Sequence, residues 1–295
     1  MTTFRSGHRQ IPVLLMTALL PVLLTGCQLL PSLSTPEPAS REYKLLLELD
    51  RFDRSRMTTS INEIDRLAAV AALRSGVTYA GSLREPVRTR EVAFLDVPGK
   101  CSLRQQGLVL RLRSKGSKTT ATLKYRTPQL SGIAAASNPL QEEAGNDVEV
   151  DLKPPHDSIY SQSLSAKIKP GELKTLGDLY ALFPVTGSLR KASDTKLAIV
   201  GKTRIREQVR GKALLDIGSS SSMSLSFWYH PNDKRRPVIA ELSFRYETVN
   251  NDAENEARAQ RLFEELQALD GWVSPLSMTK TAFLYSSSPD FCEQE

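Results

Sequence analysis

The sequence predicts an α+β fold, a closed antiparallel β-barrel of about eight strands with a few packing helices. Short stretches in which apolar and charged residues alternate recur along the chain, and this period of two marks half-buried strands. At least six of these stretches carry charge on one face. Their apolar faces can be satisfied together if the sheet curls on itself, which leaves the charged faces lining an interior wide enough for a ligand. Three further segments show helical spacing and supply the packing helices.

The chain has 295 residues and a net charge of +6. Arg5 and Arg9 precede an uncharged apolar run, Ile11 to Leu24, that closes in Leu24-Thr25-Gly26-Cys27. The run is short for a spanning helix and ends in small residues, so residues 1–26 read as an export signal. The four-residue run looks like a bacterial lipobox, which implies cleavage before Cys27 and acylation of that cysteine. Gln28 follows, not Asp, and the sorting pattern of such lipoproteins then implies a lipid anchor in the outer membrane, with the chain on the periplasmic face. Residues 27–41 hold Pro31, Pro36 and Pro38 among small polar residues and read as an extended tether. Losing residues 1–26 removes two arginines and no acids, which lowers the charge to +4. That mild excess does not point to nucleic acid.

One domain is expected over residues 42–290, since neither a second linker nor a fixed-period repeat interrupts it. Tyr43 to Asp50 reads as the first strand, with Leu47 and Leu49 opposite Glu48 and Asp50. Ser60 and Glu63 have capping-box spacing ahead of Ile61, Ile64, Leu67, Ala68 and Ala71, and Gly76 sits where that helix would stop. Leu108 to Arg113 and Thr120 to Arg126 form a hairpin in which Arg111, Arg113, Lys124 and Arg126 share one face. Four cations so placed suit a ligand with several anionic oxygens. Asp147 to Lys153 is a strand with Glu149 and Asp151 on one face. A second helix carries Leu173, Leu176, Leu179, Tyr180 and Phe183 up to Pro184.

Val200 to Arg206 aligns Lys202, Arg204 and Arg206. Gly201-Lys202-Thr203 is not a P-loop, because Lys196 stands where the leading glycine belongs. Ala213 to Ile217, Ser224 to Tyr229 and Val238 to Glu247 read as strands, the last with Glu241, Ser243 and Arg245 opposite Leu242, Phe244 and Tyr246. A third helix runs from about Asp252 to Leu269, and Ala282 to Tyr285 reads as a final strand. With Cys27 acylated, Cys101 and Cys292 remain, either bridged or as two separate buried thiols. The histidines, His8, His156 and His230, are scattered and no Cys/His spacing fits zinc.

The order of these motifs resembles the CYTH domains, also called triphosphate tunnel metalloenzymes. An acidic first strand is followed by Asp96 before a turn, Leu110 to Arg113, Thr122 to Lys124, Glu149 and Asp151, Lys202 and Arg204, Asp216, Glu241, a helix, and Lys280. The resemblance implies a tunnel that binds a triphosphate or polyphosphate-type anion and, in active members, hydrolyses or cyclises it with Mg or Mn. Carried over residue by residue, it implies phosphate contacts from Arg111, Arg113, Lys124, Arg204, Arg206 and Lys280. It likewise implies metal contacts from Glu48, Asp50, Glu149, Asp151 and Glu241. The family's opening Glu-x-Glu-x-Lys would fall at Glu48-Leu49-Asp50-Arg51-Phe52, with Phe52 in place of lysine, and Ser243 stands where a paired glutamate is usual. Two readings follow: a metal-dependent triphosphate hydrolase, or a non-catalytic anion-binding or interaction module of the cell envelope.

Overall fold

A computed structural model describes residues 1–2, 37–135, 137–140, 144, 147–183, 193–233, 235–248 and 253–293. The acylation motif at Cys27 and the tether as far as Pro36 lie outside the described residues, and the last two positions expected in the tether, Ser40 and Arg41, belong to the first strand. Thr35–Glu295 forms one compact unit. Its elements are β1 (Ser40–Leu46), α1 (Met57–Arg74), β2 (Tyr79–Ala80), β3 (Pro86–Asp96), α2 (Ser102–Gln105), β4 (Leu108–Lys115), β5 (Lys118–Thr127), β6 (Glu149–Lys153) and β7 (Asp157–Ile168). There follow α3 (Leu176–Leu182), β8 (Ala198–Ile199), β9 (Ile205–Leu215), β10 (Ser219–Tyr229), β11 (Pro237–Glu247), α4 (Ala253–Gln267) and α5 (Lys280–Ser286). No helix of the described residues is long and apolar enough to cross a membrane.

Nine strands close a ring in the order β9-β10-β11-β1-β6-β7-β5-β4-β3, with β3 pairing back onto β9. Every neighbour in the ring is antiparallel except β1 and β6, which run parallel. The expected barrel is therefore present, with a single parallel seam. Closure satisfies the sheet's backbone groups all round and leaves the ring no free edge.

The outer faces of the strands carry the apolar residues and are covered in two places. Tyr43, Leu45, Phe227, Leu242 and Phe244 pack under α1 and α4 through Ile61, Ile64, Leu262 and Phe263. Leu110, Leu112, Leu123 and Tyr125 pack with Leu176 and Leu179 of α3. A third apolar group is on the inner side, where Phe94 and Trp228 also line the cavity; with Ile205 and Ile239 they meet Leu284, Tyr285 and Phe291 of the C-terminal segment. The helices therefore take the apolar faces, and charge is left to the inside.

Several local expectations are corrected. β1 ends at Leu46, and the chain turns away because Leu47 bridges to Val273 while Phe52 is buried against Phe227 and Trp272. α1 begins at Met57, before Ser60, whose hydroxyl donates to the carbonyl of Arg51 and caps nothing. The segment expected as a last strand is α5, capped by Thr279, whose Oγ1 accepts from the Ala282 N–H. Four apolar residues in a row fit a buried strand or a short helix equally well. β3 and β7 carry no strong alternation and were not expected. Of the strand expected at Ala213 to Ile217, Ala213 to Leu215 prove to be the end of the longer β9 and the other two residues lie beyond it, and Cys101 and Cys292 are bridged.

Candidate functional site

The barrel encloses a cavity of about 460 Å³ lined by nine basic and five acidic side chains. This surplus of cations gives the lumen a net positive lining. Alternation delivers these residues. β4 turns Arg111 and Arg113 inward because Leu110 and Leu112 are needed in the outer core, and β5 turns in Lys124 and Arg126 on the same argument.

Of the expected phosphate contacts, Arg111, Arg113, Lys124 and Lys280 line the cavity. Arg204 and Arg206 do not. Arg204 is exposed ahead of β9, and within β9 it is Ile205, Glu207 and Val209 that alternate on the buried side, so Arg206 points outward. A tight turn at Val200–Lys202, with Gly201 at φ 69° and Lys202 at φ 54°, separates those basic residues from the strand. Of the expected metal contacts, Glu149, Asp151 and Glu241 line the cavity. Glu48 and Asp50 lie past the end of β1, beside the 3-10 turn that buries Phe52. Glu42 and Lys44 instead share the inner face of β1 opposite Tyr43 and Leu45. The expected Glu-x-Glu-x-Lys spacing thus falls on Ser40-Arg41-Glu42-Tyr43-Lys44, eight residues before the expected register, with the lysine present and Ser40 in place of the first glutamate.

Sequence reasoning also missed Arg88 and Arg90 on β3, Glu207 on β9 and Arg245 on β11, all of which line the cavity. The signal for Glu207 was legible as a lone acid between Ile205 and Val209 on an otherwise apolar face. Serines complete the wall, with Ser163 and Ser165 on β7 and Ser224 and Ser226 on β10.

Charges inside divide into two groups. On the β1–β6–β5 side, Lys44 Nζ lies 2.7 Å from Asp151 Oδ1 and 3.0 Å from Glu42 Oε2, and Lys124 Nζ lies 2.7 Å from Glu149 Oε2. Burial and the neighbouring Asp151 and Glu149 carboxylates, opposed by Lys44, hold the Glu42 carboxyl up at about 6. Burial would raise Glu149 and Asp151 too, but Lys124 and Lys44 outweigh it and both are held low. At the other end Glu207 pairs with Arg90 and accepts from Trp228 Nε1 at 3.0 Å, while Lys280 Nζ lies 2.7 Å from Glu241 Oε1. Against burial, Lys280 and Arg90 draw Glu207 down to about 2.

Arg111 and Arg113 belong to neither group. Among the described residues neither makes an ion pair or hydrogen bond, and the Nε of each is buried without a partner. Burial first, and neighbouring guanidiniums second, pull Arg111 down to about 10 and Arg113 to about 9. At neutral pH both remain charged, so the depression expresses the cost of partly burying neighbouring cations, which the attraction of Glu207 offsets only in part.

Glu42, Glu149 and Asp151 bring carboxylate oxygens within 4.8 Å of one another and could hold a metal ion. Hard oxygen donors suit Mg or Mn, and Asp151 Oδ2 accepts no hydrogen bond and faces the Arg126 guanidinium only at 3.8 Å, so that oxygen keeps its lone pairs for an ion. The residues fit such an ion.

No family model and no curated protein matches the chain. Among solved structures it is similar to a candidate adenylyl cyclase from Hippeastrum described as having a dominant triphosphatase activity, at 12% identity and a TM-score of 0.42, over 84% of this chain and 95% of that one. It is also similar to a candidate adenylate cyclase from Bacillus halodurans, at 12% identity and a TM-score of 0.39, over 83% and 98%. A conserved hypothetical protein from Pyrococcus furiosus follows at 11% identity and a TM-score of 0.33, over 80% and 96%.

Proposed function

We propose that the lumen binds a triphosphate or polyphosphate-type anion and, with a divalent metal, hydrolyses it. The observation that carries this reading is the pair Arg111 and Arg113, two half-buried guanidiniums on one face of β4, neither ion-paired with a carboxylate among the described residues. A guanidinium fork matches phosphate oxygens two at a time, and two forks one strand repeat apart match a chain of phosphates better than a single phosphate. Arg88 and Arg245, exposed residues of the lining, extend positive potential outward from it.

Hydrolysis would be attack of water on a terminal phosphorus, with cleavage of the bridging P–O bond. Arg111, Arg113 and Lys124 would hold the oxygens in place and neutralise charge as it builds on the leaving oxygen. A Mg or Mn ion held by Glu42, Glu149 and Asp151 would supply further charge neutralisation at those oxygens. Lys44, fixed between Glu42 and Asp151, would orient those carboxylates. The wall serines offer hydroxyl donors that add reach without charge.

A second reading has one observation behind it: Glu42, Glu149, Asp151, Glu207 and Glu241 each have a lysine or arginine partner. A lumen of internally matched pairs could be an inert scaffold for an envelope interaction module. The unmatched arginines favour the anion-binding reading. The test is phosphate release from tripolyphosphate by the full chain with and without Mg or Mn, together with calorimetric binding of the same anion. Binding with metal-dependent release supports the hydrolase, binding alone supports an anion carrier, and neither overturns both.

Location remains a proposal from sequence. The Leu24 to Cys27 motif supports an acyl anchor in the outer membrane, with the tether leading to the barrel on the periplasmic side.

A further inference from the structure

One lumen cation differs from the rest in how it is held. The other basic side chains of the cavity stand on ring strands, whereas Lys280 stands on α5, which has no sheet pairing. Its ammonium lies 2.7 Å from Glu241 Oε1 and donates to Ser226 Oγ at 2.6 Å, and its neighbour Thr281 accepts from Arg126 Nη1 at 3.1 Å. The presence of Lys280 in the lumen therefore depends on whatever fastens the C-terminal arm to the barrel.

That fastening converges on the turn region after β3. Tyr285 Oη donates to Asp96 Oδ2 at 2.8 Å, the Arg104 guanidinium lies 4.7 Å from the centre of the Tyr285 ring, and the Phe291 carbonyl accepts from the Gly99 N–H at 2.8 Å. Past all of these, Cys292 is bonded to Cys101, 191 positions earlier. With the bond in place the arm is anchored beyond its last helix. Without it the arm is held by these contacts and by the burial of Leu284, Tyr285 and Phe291 alone, and a segment with no covalent tie opens locally at lower cost than one that is cross-linked. Cys101 is buried and Cys292 only half-buried, so the bridge is approachable from the arm's side.

We propose that the Cys101–Cys292 disulfide is a redox latch on the tunnel: opening it loosens the C-terminal arm, withdraws Lys280 from the lumen and weakens the grip on a polyanion. The polyanion part rests on the function proposed above, and the loosening of the arm does not. In the opening step a thiolate of a dithiol attacks Cys292 Sγ, the S–S bond breaks, and Cys101 leaves as a thiolate and takes a proton. The second thiol of the reductant then displaces Cys292, so the dithiol ends as a disulfide and the protein gains two electrons and two protons. Withdrawal of Lys280 also strips Glu241 of its partner, which sets a carboxylate against an incoming anion.

The experiment compares the full chain, oxidised and after reduction by dithiothreitol, by hydrogen exchange and by titration with tripolyphosphate. Reduction is expected to speed exchange across residues 279–291 at least tenfold while β4 and β5 stay protected, and to raise the dissociation constant at least fivefold. Lys280→Gln is expected to bind tripolyphosphate weakly when oxidised and to lose less than a further twofold on reduction. Unchanged exchange in the arm, unfolding of the whole barrel on reduction, or a Lys280→Gln chain as redox-sensitive as the parent overturns the latch. An equal dissociation constant in both redox forms of the parent, despite a loosened arm, overturns its link to the lumen. If tripolyphosphate binds neither form, the polyanion reading falls, and arm exchange alone decides: faster on reduction upholds the loosening, unchanged refutes it.

Discussion

Arg111 and Arg113 stand two residues apart on β4, face the same lumen and share no carboxylate. Two neighbouring cations that Glu207 only partly offsets repel one another in the barrel, so an anion that fits should stabilise it. Tripolyphosphate at a hundred times its dissociation constant should add about 2.7 kcal/mol, or roughly 5 to 10 °C in melting temperature for a chain of this size. Replacing both with Ala should abolish that shift and leave the unliganded protein about as stable as the parent or more so, because Glu207 keeps Arg90 and Lys280 as partners. Thermal melts of both proteins with tripolyphosphate and with single phosphate check this. A parent that does not respond, or a double variant that collapses, counts against the anion site.

Acid should act through Glu207. Its folded-state pKa, drawn down to about 2, lies below its ordinary value of 4.5. Its charge therefore adds stability above pH 4.5, and that contribution is lost as pH falls from 4.5 toward 2, on the order of 3 kcal/mol in all. Glu207→Gln should be less stable than the parent at pH 7, and the gap should close by about pH 2. Denaturant melts across that range measure it, and a gap that does not vary with pH would contradict the ion-pair account.

Metal binding should follow the carboxylates of β1 and β6, not Glu48 and Asp50. Asp151→Asn should weaken Mn binding about tenfold or more, whereas Asp50→Asn, on the exposed turn after β1, should leave it unchanged. Calorimetric Mn titration separates the two, and equal losses would mean that the ion is held elsewhere.

Backbone fit should matter most where β9 passes β2 and its loop. At Gly211, φ is +64° and an added Cβ would meet Leu83 Cα at 2.3 Å and the Ser82 carbonyl at 2.5 Å. Gly76 has a similar φ of +69° but nothing within 4 Å. Gly211→Ala should therefore cost about 3 kcal/mol or more, and Gly76→Ala only about 1 to 2 kcal/mol from backbone strain. Similar losses in urea melts would argue against the close approach.

For the anchor, Cys27→Ser should leave an uncleaved precursor or a soluble form, as expected if the motif ending at Cys27 is an acylation site. Fractionation of the expressing cells decides, and normal outer-membrane recovery of the variant would rule the anchor out.

The sequence by itself determined that this is a curled sheet with charge inside, because alternation fixes which side chains share a face once a strand is known. That is why Arg111, Arg113, Lys124, Glu149, Asp151 and Glu241 were legible as lumen residues. Tertiary structure decided where the strands begin and which face is inner. Phe52 is pulled into the core beneath Phe227 and Trp272, so β1 ends early and Glu42 and Lys44 take the places expected for Asp50 and Phe52. The turn at Val200–Lys202 detaches Arg204 from β9 and leaves Arg206 outside, because a one-residue difference in parity exchanges the two faces of a strand. Nor could local pattern show that a helix near the C-terminus supplies Lys280, or that Cys101 and Cys292 meet, since both depend on contacts between residues nearly two hundred positions apart that only the closed barrel brings together.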